Sequence, residues 1–81
     1  MNKKRYNKDK EFARVIALRI KQLRQEYNCT QEKLIDKTHL DINRYEMGET
    51  IPLLSSLSKI CEFFNITLDE FFAPMHYPPK K

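Results

Sequence analysis

The sequence predicts an all-α domain of five helices joined by short turns. Three observations carry that reading. Apolar side chains recur every three or four residues, the period of a helix face. No stretch alternates apolar and polar residues over the length of a strand. Residues that start and stop helices stand at the ends of the apolar stripes. The 81 residues suit one domain with one small core, and 41% of them are hydrophobic.

The first helix is expected from about Lys10 to Tyr27, with Phe12, Val15, Ile16, Ile20, Leu23 and Tyr27 on one stripe. Asp9 is its expected N-cap and Asn28, which tolerates the left-handed conformation, its stop. Thr30 caps a second helix, with Glu32 in the first turn where the helix dipole favours negative charge. Leu34 and Ile35 face inward, and this helix ends near Lys37 or Thr38. A third, short helix is expected from Asp41, its cap, to Met47, stopped by Gly48. Pro52 precedes a fourth helix striped by Leu54, Leu57, Ile60, Cys61 and Phe64, and Asn65 ends it. Thr67-Leu68-Asp69-Glu70 is a capping box that opens a fifth helix through Phe72. Pro74, Pro78 and Pro79 are expected to prevent regular structure afterwards. The expected organisation is a flexible basic arm (1–8), a folded domain (9–72) and a proline-rich tail (73–81).

Charge is unevenly placed. Residues 1–24 hold nine cations and two anions, a net +7, whereas residues 30–72 carry a net −4. A basic end on an acidic body points to an arm that meets an anion such as nucleic acid; a solubilising tail is the alternative. No apolar run approaches the ~18 residues of a membrane span, and no apolar stretch follows the basic N-terminus, so the expected compartment is the cytoplasm. Cys29 and Cys61, with His39 and His76, give no zinc spacing, so no metal or cofactor is expected and the thiols are expected reduced. No nucleophile–histidine–acid grouping or phosphate-cradling glycine loop is present, and an enzyme is not expected.

A short helix, a tight turn and another short helix in the middle of a small all-α chain form the pattern of a helix-turn-helix. Four stretches extend it. "TQEKL" (30–34) resembles the opening of helix 2 in the Cro/repressor-type helix-turn-helix family, the xenobiotic-response-element class. "RYEMGE" (44–49) resembles that family's close of helix 3. "LSSLSKICEFFNITLDEFF" (54–72), after Pro52, resembles its ending, and "IKQLRQE" (20–26) is similar to its helix 1. The resemblance covers residues 16–72 and implies a compact five-helix lambda-repressor-like domain that binds double-stranded DNA as a homodimer and acts as a transcriptional repressor. One departure stands out. The family pattern places about three more residues between Gln31 and Glu46 than this chain has, and His39 stands where the turn glycine is usual.

The resemblance makes Gln31 a phosphate clamp at a helix N-terminus, with Thr30 a cap first and a phosphate contact second. Arg44 is the leading base reader, because its fork can donate two hydrogen bonds to guanine; Asn43 could read adenine. Thr38 and His39, near the turn, are expected to touch backbone or bases. The resemblance also implies a structural ion pair between Arg24 and Glu46. Lys3, Lys4 and Arg5 are expected to track phosphates or enter a minor groove. Either Phe63 or Phe72 is expected to be left for a partner surface. A rival reading keeps the fold but replaces DNA by a protein partner, in the manner of an antitoxin, because residues 30–72 are acidic and the central turn is short.

Overall fold

The computed structural model describes residues 8–80. Five α-helices and a terminal 3-10 turn follow in order: α1 (Lys8–Glu26), α2 (Gln31–Thr38), α3 (Ile42–Glu46), α4 (Leu54–Phe64), α5 (Leu68–Phe72) and the 3-10 turn Ala73–Met75. α1 lies against α3 and the 3-10 turn, α2 against α3 and α4, and α4 against α5.

The helices stop where the sequence offers residues that accept positive φ. Asn28 (φ 52°), Gly48 (φ 74°) and Asn65 (φ 59°) each follow a helix in the left-handed region. Each closes the same pair of backbone bonds. Behind α1, Asn28 N–H donates to Gln25 and Cys29 N–H to Arg24; behind α3, Gly48 donates to Tyr45 and Glu49 to Arg44. Behind α4, Asn65 donates to Glu62 and Ile66 to Cys61. This double closure satisfies carbonyls that a helix end leaves open. His39 (φ 60°) ends α2 with a single bond to Ile35 O. The backbone service of the missing turn glycine is thus supplied by a histidine.

Helix starts follow the caps only in part. Thr30 Oγ1 accepts from Lys33 N–H, and the Thr67/Glu70 capping box closes in both directions. Asp9, expected as a cap, lies inside the first turn of α1, where its charge still suits the dipole. Asp41 holds the N-cap position of α3 but makes no side-chain cap bond. α4 starts without a side-chain cap at Leu53.

The core is built by Ile16, Ile20 and Leu23 of α1, Leu34 of α2, Ile42 of α3, Leu57, Ile60 and Phe64 of α4, and Phe71 of α5. Phe71 is fully buried, worth about 2–3 kcal/mol of apolar transfer. Two side chains expected inside are instead exposed: Leu54, at the first turn of α4, and Tyr27, which lies past the end of α1. The inner face of α1 uses Ala13 and Ala17 in addition to the larger apolar residues. Phe63 and Phe72 both pack half-buried against the core, edge-on to Phe64 and Phe71, so neither stands apart from it as a fully exposed ring. Among the described residues the exposed large apolar side chains are Leu18, Tyr27, Met47, Leu53 and Leu54.

The prolines do not abolish regular structure beyond α5. Pro74 sits inside the 3-10 turn, where its fixed φ fits and its missing N–H costs nothing. Met75 packs on the core, and Tyr77 stacks on Phe12 with ring centroids 5.2 Å apart.

Candidate nucleic-acid interface

The two central helices are tied by one hydrogen-bonded cluster. Glu46, at the end of α3, is buried, and Arg24 of α1 grips it with two parallel bonds: Nε to Oε2 at 2.6 Å and Nη2 to Oε1 at 2.8 Å. The third arm of the guanidinium, Nη1, donates to Cys29 O at 3.1 Å, across the turn between α1 and α2. The bond to Glu46 raises the Arg24 pKa further, against the opposing pull of burial. Glu46 Oε1 also accepts from Gln31 Nε2 at 3.0 Å. Gln31 Oε1 in turn accepts from Asn43 Nδ2 at 3.3 Å. The cluster therefore runs from α1, through the inside of α3, to the first residue of α2, and out again to the exposed side of α3.

This arrangement sorts the residues singled out in the sequence. Asn43 and Arg44 are exposed on α3, and Gln31 is half-buried at the N-terminus of α2, bonded to Asn43. Thr30 is exposed, its hydroxyl engaged as the cap. His39 is exposed at the turn. Thr38 does not share this surface. It is buried, with its hydroxyl donating to Leu34 O at 2.7 Å and accepting from Leu40 N–H at 3.3 Å. Its part is to satisfy the short turn between α2 and α3, not to meet an outside ligand. Lys3, Lys4 and Arg5 lie outside the described residues.

The charge reading also changes. Arg19 and Arg24 belong to the basic N-terminal segment by sequence, yet both are committed inside the domain. Arg24 holds Glu46. Arg19 is buried, and it donates through Nε to Phe71 O, through Nη2 to Glu70 O at 3.0 Å, and through Nη1 to Gln22 at 3.1 Å. Its guanidinium carbon also lies 5.5 Å from the centre of the Phe71 ring. Sequence reasoning missed this role, because an arginine on a helix reads as solvated until its acceptors are placed.

On the outer face Arg44 is flanked by acids. Nε donates to Glu49 at 3.3 Å, and Nη1 lies 4.0 Å from Asp41. Among the described residues no group of His, Cys, Asp and Glu could hold a metal ion. No helix among them is long and apolar enough to cross a membrane.

Two short helices joined by a three-residue turn, the second presenting polar side chains outward, define a helix-turn-helix domain. The sequence profile of the helix-turn-helix family matches residues 20–71, and the chain belongs to that family in its Cro/repressor-type form. It is 34% identical over 58 residues to the HTH-type transcriptional activator BcrR of Enterococcus faecalis, an alignment covering 68% of this chain. The alignment covers only 28% of that relative's length. No solved structure matches the chain significantly.

Proposed function

We propose that this chain regulates transcription by binding duplex DNA in a sequence-specific manner through α2 and α3. The observation that carries the reading is the joint placement of Gln31, Asn43 and Arg44. Two of these side chains are exposed on α3, and the third stands at the N-terminus of α2, hydrogen-bonded to the first. A helix N-terminus offers unpaired backbone amides to a phosphate, and an outward Asn or Arg offers paired hydrogen bonds to a base edge. The family and the enterococcal relative, a named transcriptional regulator, support the same reading. The basic residues Lys3, Lys4 and Arg5 would add backbone contacts, and two copies would match a two-fold site about one helical turn apart.

Selection from random duplexes tests this, with the full chain and with residues 1–8 removed. An enriched sequence supports the reading, and enrichment of nothing by either form sinks it. A promoter reporter then gives the direction of regulation. Lower output marks a repressor; higher output marks an activator, the sense in which the relative is named.

One observation favours a second reading. Both ends of the Gln31 amide are occupied within the protein, and Arg44 stands between two acids. A surface so self-satisfied also suits a protein partner with the fold kept as scaffold. Failure of DNA selection, together with a stable complex captured in defined stoichiometry, would establish that reading instead.

A further inference from the structure

Arg44 meets its two acids in different ways. Glu49 is brought back beside Arg44 by the closure at Gly48, in which Glu49 N–H bonds to Arg44 O at 3.1 Å. From there its carboxylate accepts from Nε, at 3.3 Å. Asp41 approaches from the other end of α3, one turn earlier. Its Oδ2 is 4.0 Å from Nη1, beyond hydrogen-bond length, and no cap bond uses the carboxylate. Nη2 donates to no protein group among the described residues. Glu49 therefore holds the guanidinium through Nε and leaves Nη1 and Nη2, on a half-exposed side chain, without a hydrogen bond among the described residues. Beside that pair stand carboxylate oxygens free to accept. All three side chains are roughly half exposed, at 58%, 56% and 47% for Arg44, Asp41 and Glu49.

We propose that Arg44 and Asp41 together read one G·C base pair in the major groove, with Glu49 as the positioning residue. This rests on the DNA-binding function proposed above and names what one position of the bound site contains. Guanine presents two acceptors, O6 and N7, which Nη1 and Nη2 can reach together. Its partner cytosine presents a donor, the N4 amino group, which a carboxylate accepts. Guanine O6 and cytosine N4 are hydrogen-bonded to each other, so they lie side by side. A donor and an acceptor held 4.0 Å apart on the protein match that adjacency. An A·T pair presents a donor and an acceptor to the same two groups in the wrong places. The acids also explain why an anionic surface tolerates DNA: Asp41 meets a base donor in the correct site, but only repulsive phosphate elsewhere.

Selection from random duplexes with the wild type, Asp41→Ala, Arg44→Ala and Glu49→Gln tests the assignment. All three side chains are surface groups, and a melting curve confirms that each variant folds. The wild type is expected to enrich a G·C pair at one fixed position of each half-site. Arg44→Ala should erase the preference there and leave other positions unchanged. Asp41→Ala should weaken it by about tenfold, while binding random duplex at least as well as the wild type. Glu49→Gln still accepts from Nε and should keep the preference. A wild-type motif whose G·C preference survives unchanged in either Arg44→Ala or Asp41→Ala overturns the assignment while DNA reading stands. A wild-type chain that enriches no sequence overturns both.

Discussion

Arg24 and Glu46, 22 residues apart, form a two-bonded ion pair on the inside of the third helix. The Glu46 side chain is only 3% exposed and that of Arg24 20%. A buried pair of this kind is weak support for net stability, but breaking it from one side leaves a charge without a partner. Arg24→Ala and Glu46→Ala are each expected to destabilise the domain by about 3 kcal/mol. The double variant should lose much less than the sum. Chemical denaturation of the four proteins in a double-mutant cycle reads this, and additive losses would show that the pair is not coupled.

The same pair should set the reader as well as the core. Glu46 Oε1 is shared between Arg24 and Gln31. In Glu46→Met the carboxylate that accepts from both Arg24 and Gln31 is removed while the bulk of the side chain remains. DNA affinity is expected to fall more than it does for an exposed α2 substitution such as Lys33→Ala, because Gln31 and Asn43 lose their anchor. Equal losses, measured on a selected duplex at one salt concentration, would separate the reader from the core.

His39 occupies φ 60°, ψ 31° where glycine would be at ease. The left-handed region costs a residue with a Cβ about 1–2 kcal/mol, and glycine avoids it at the expense of a more flexible unfolded chain. His39→Gly is expected to stabilise the domain by about 1 kcal/mol, a rise in Tm of about 4–8 °C for a chain of this size. A thermal melt decides it. A lower Tm would mean that the imidazole makes a contribution larger than the backbone strain.

Arg19 should be irreplaceable by an isosteric apolar side chain. Arg19→Met leaves the Glu70 and Phe71 carbonyls without their donor, and such groups cost about 1–3 kcal/mol when buried unpaired. Amide exchange should quicken first in α5 and the 3-10 turn. Uniform acceleration across all helices would argue that Arg19 supports the whole core instead.

The Tyr77 phenol is pushed up from its ordinary value, first by loss of water and then by the Glu11 and Asp9 carboxylates. A raised folded pKa favours the neutral phenol in the native state. Its contribution to stability is complete below the ordinary phenol pKa of about 10 and is lost as pH rises through the folded value. Denaturation at successive alkaline pH values should show an added decline in the wild type that Tyr77→Phe lacks. Parallel curves would sink this prediction.

What the sequence disclosed follows from how local each interaction is. Helix stops at Asn28, Gly48 and Asn65 were readable because positive φ is a property of the residue itself. The Thr67–Glu70 box was readable because its partners are three residues apart. Periodicity places Leu54 and Tyr27 inward, yet both lie at helix ends and are half exposed or more, Tyr27 touching the core through one side of its ring against Phe64. Thr38 looked like a contact residue because the turn was in the right place; its burial depends on the Leu34 carbonyl and Leu40 amide closing around it. The Arg24–Glu46 pair came from resemblance, whereas the bonds from Gln31 to Glu46 and Asn43 needed the helices to be set in space. Arg19 was least legible, since its two carbonyl acceptors lie more than fifty residues further on.

That last separation bears on how the chain matures. Arg19 and the Phe71 carbonyl are 52 residues apart, and the guanidinium is buried only once they meet. During synthesis the first helix emerges long before its acceptors exist. α3 can cover part of that helix's inner face earlier, but Arg19 must stay open to water, or to a holding chaperone, until the fifth helix has left the ribosome. The tie between the first and fifth helices is thus completed only at the end of translation of this segment, and a ribosome stalled before residue 70 would carry a first helix whose Arg19 has not yet met its carbonyl acceptors.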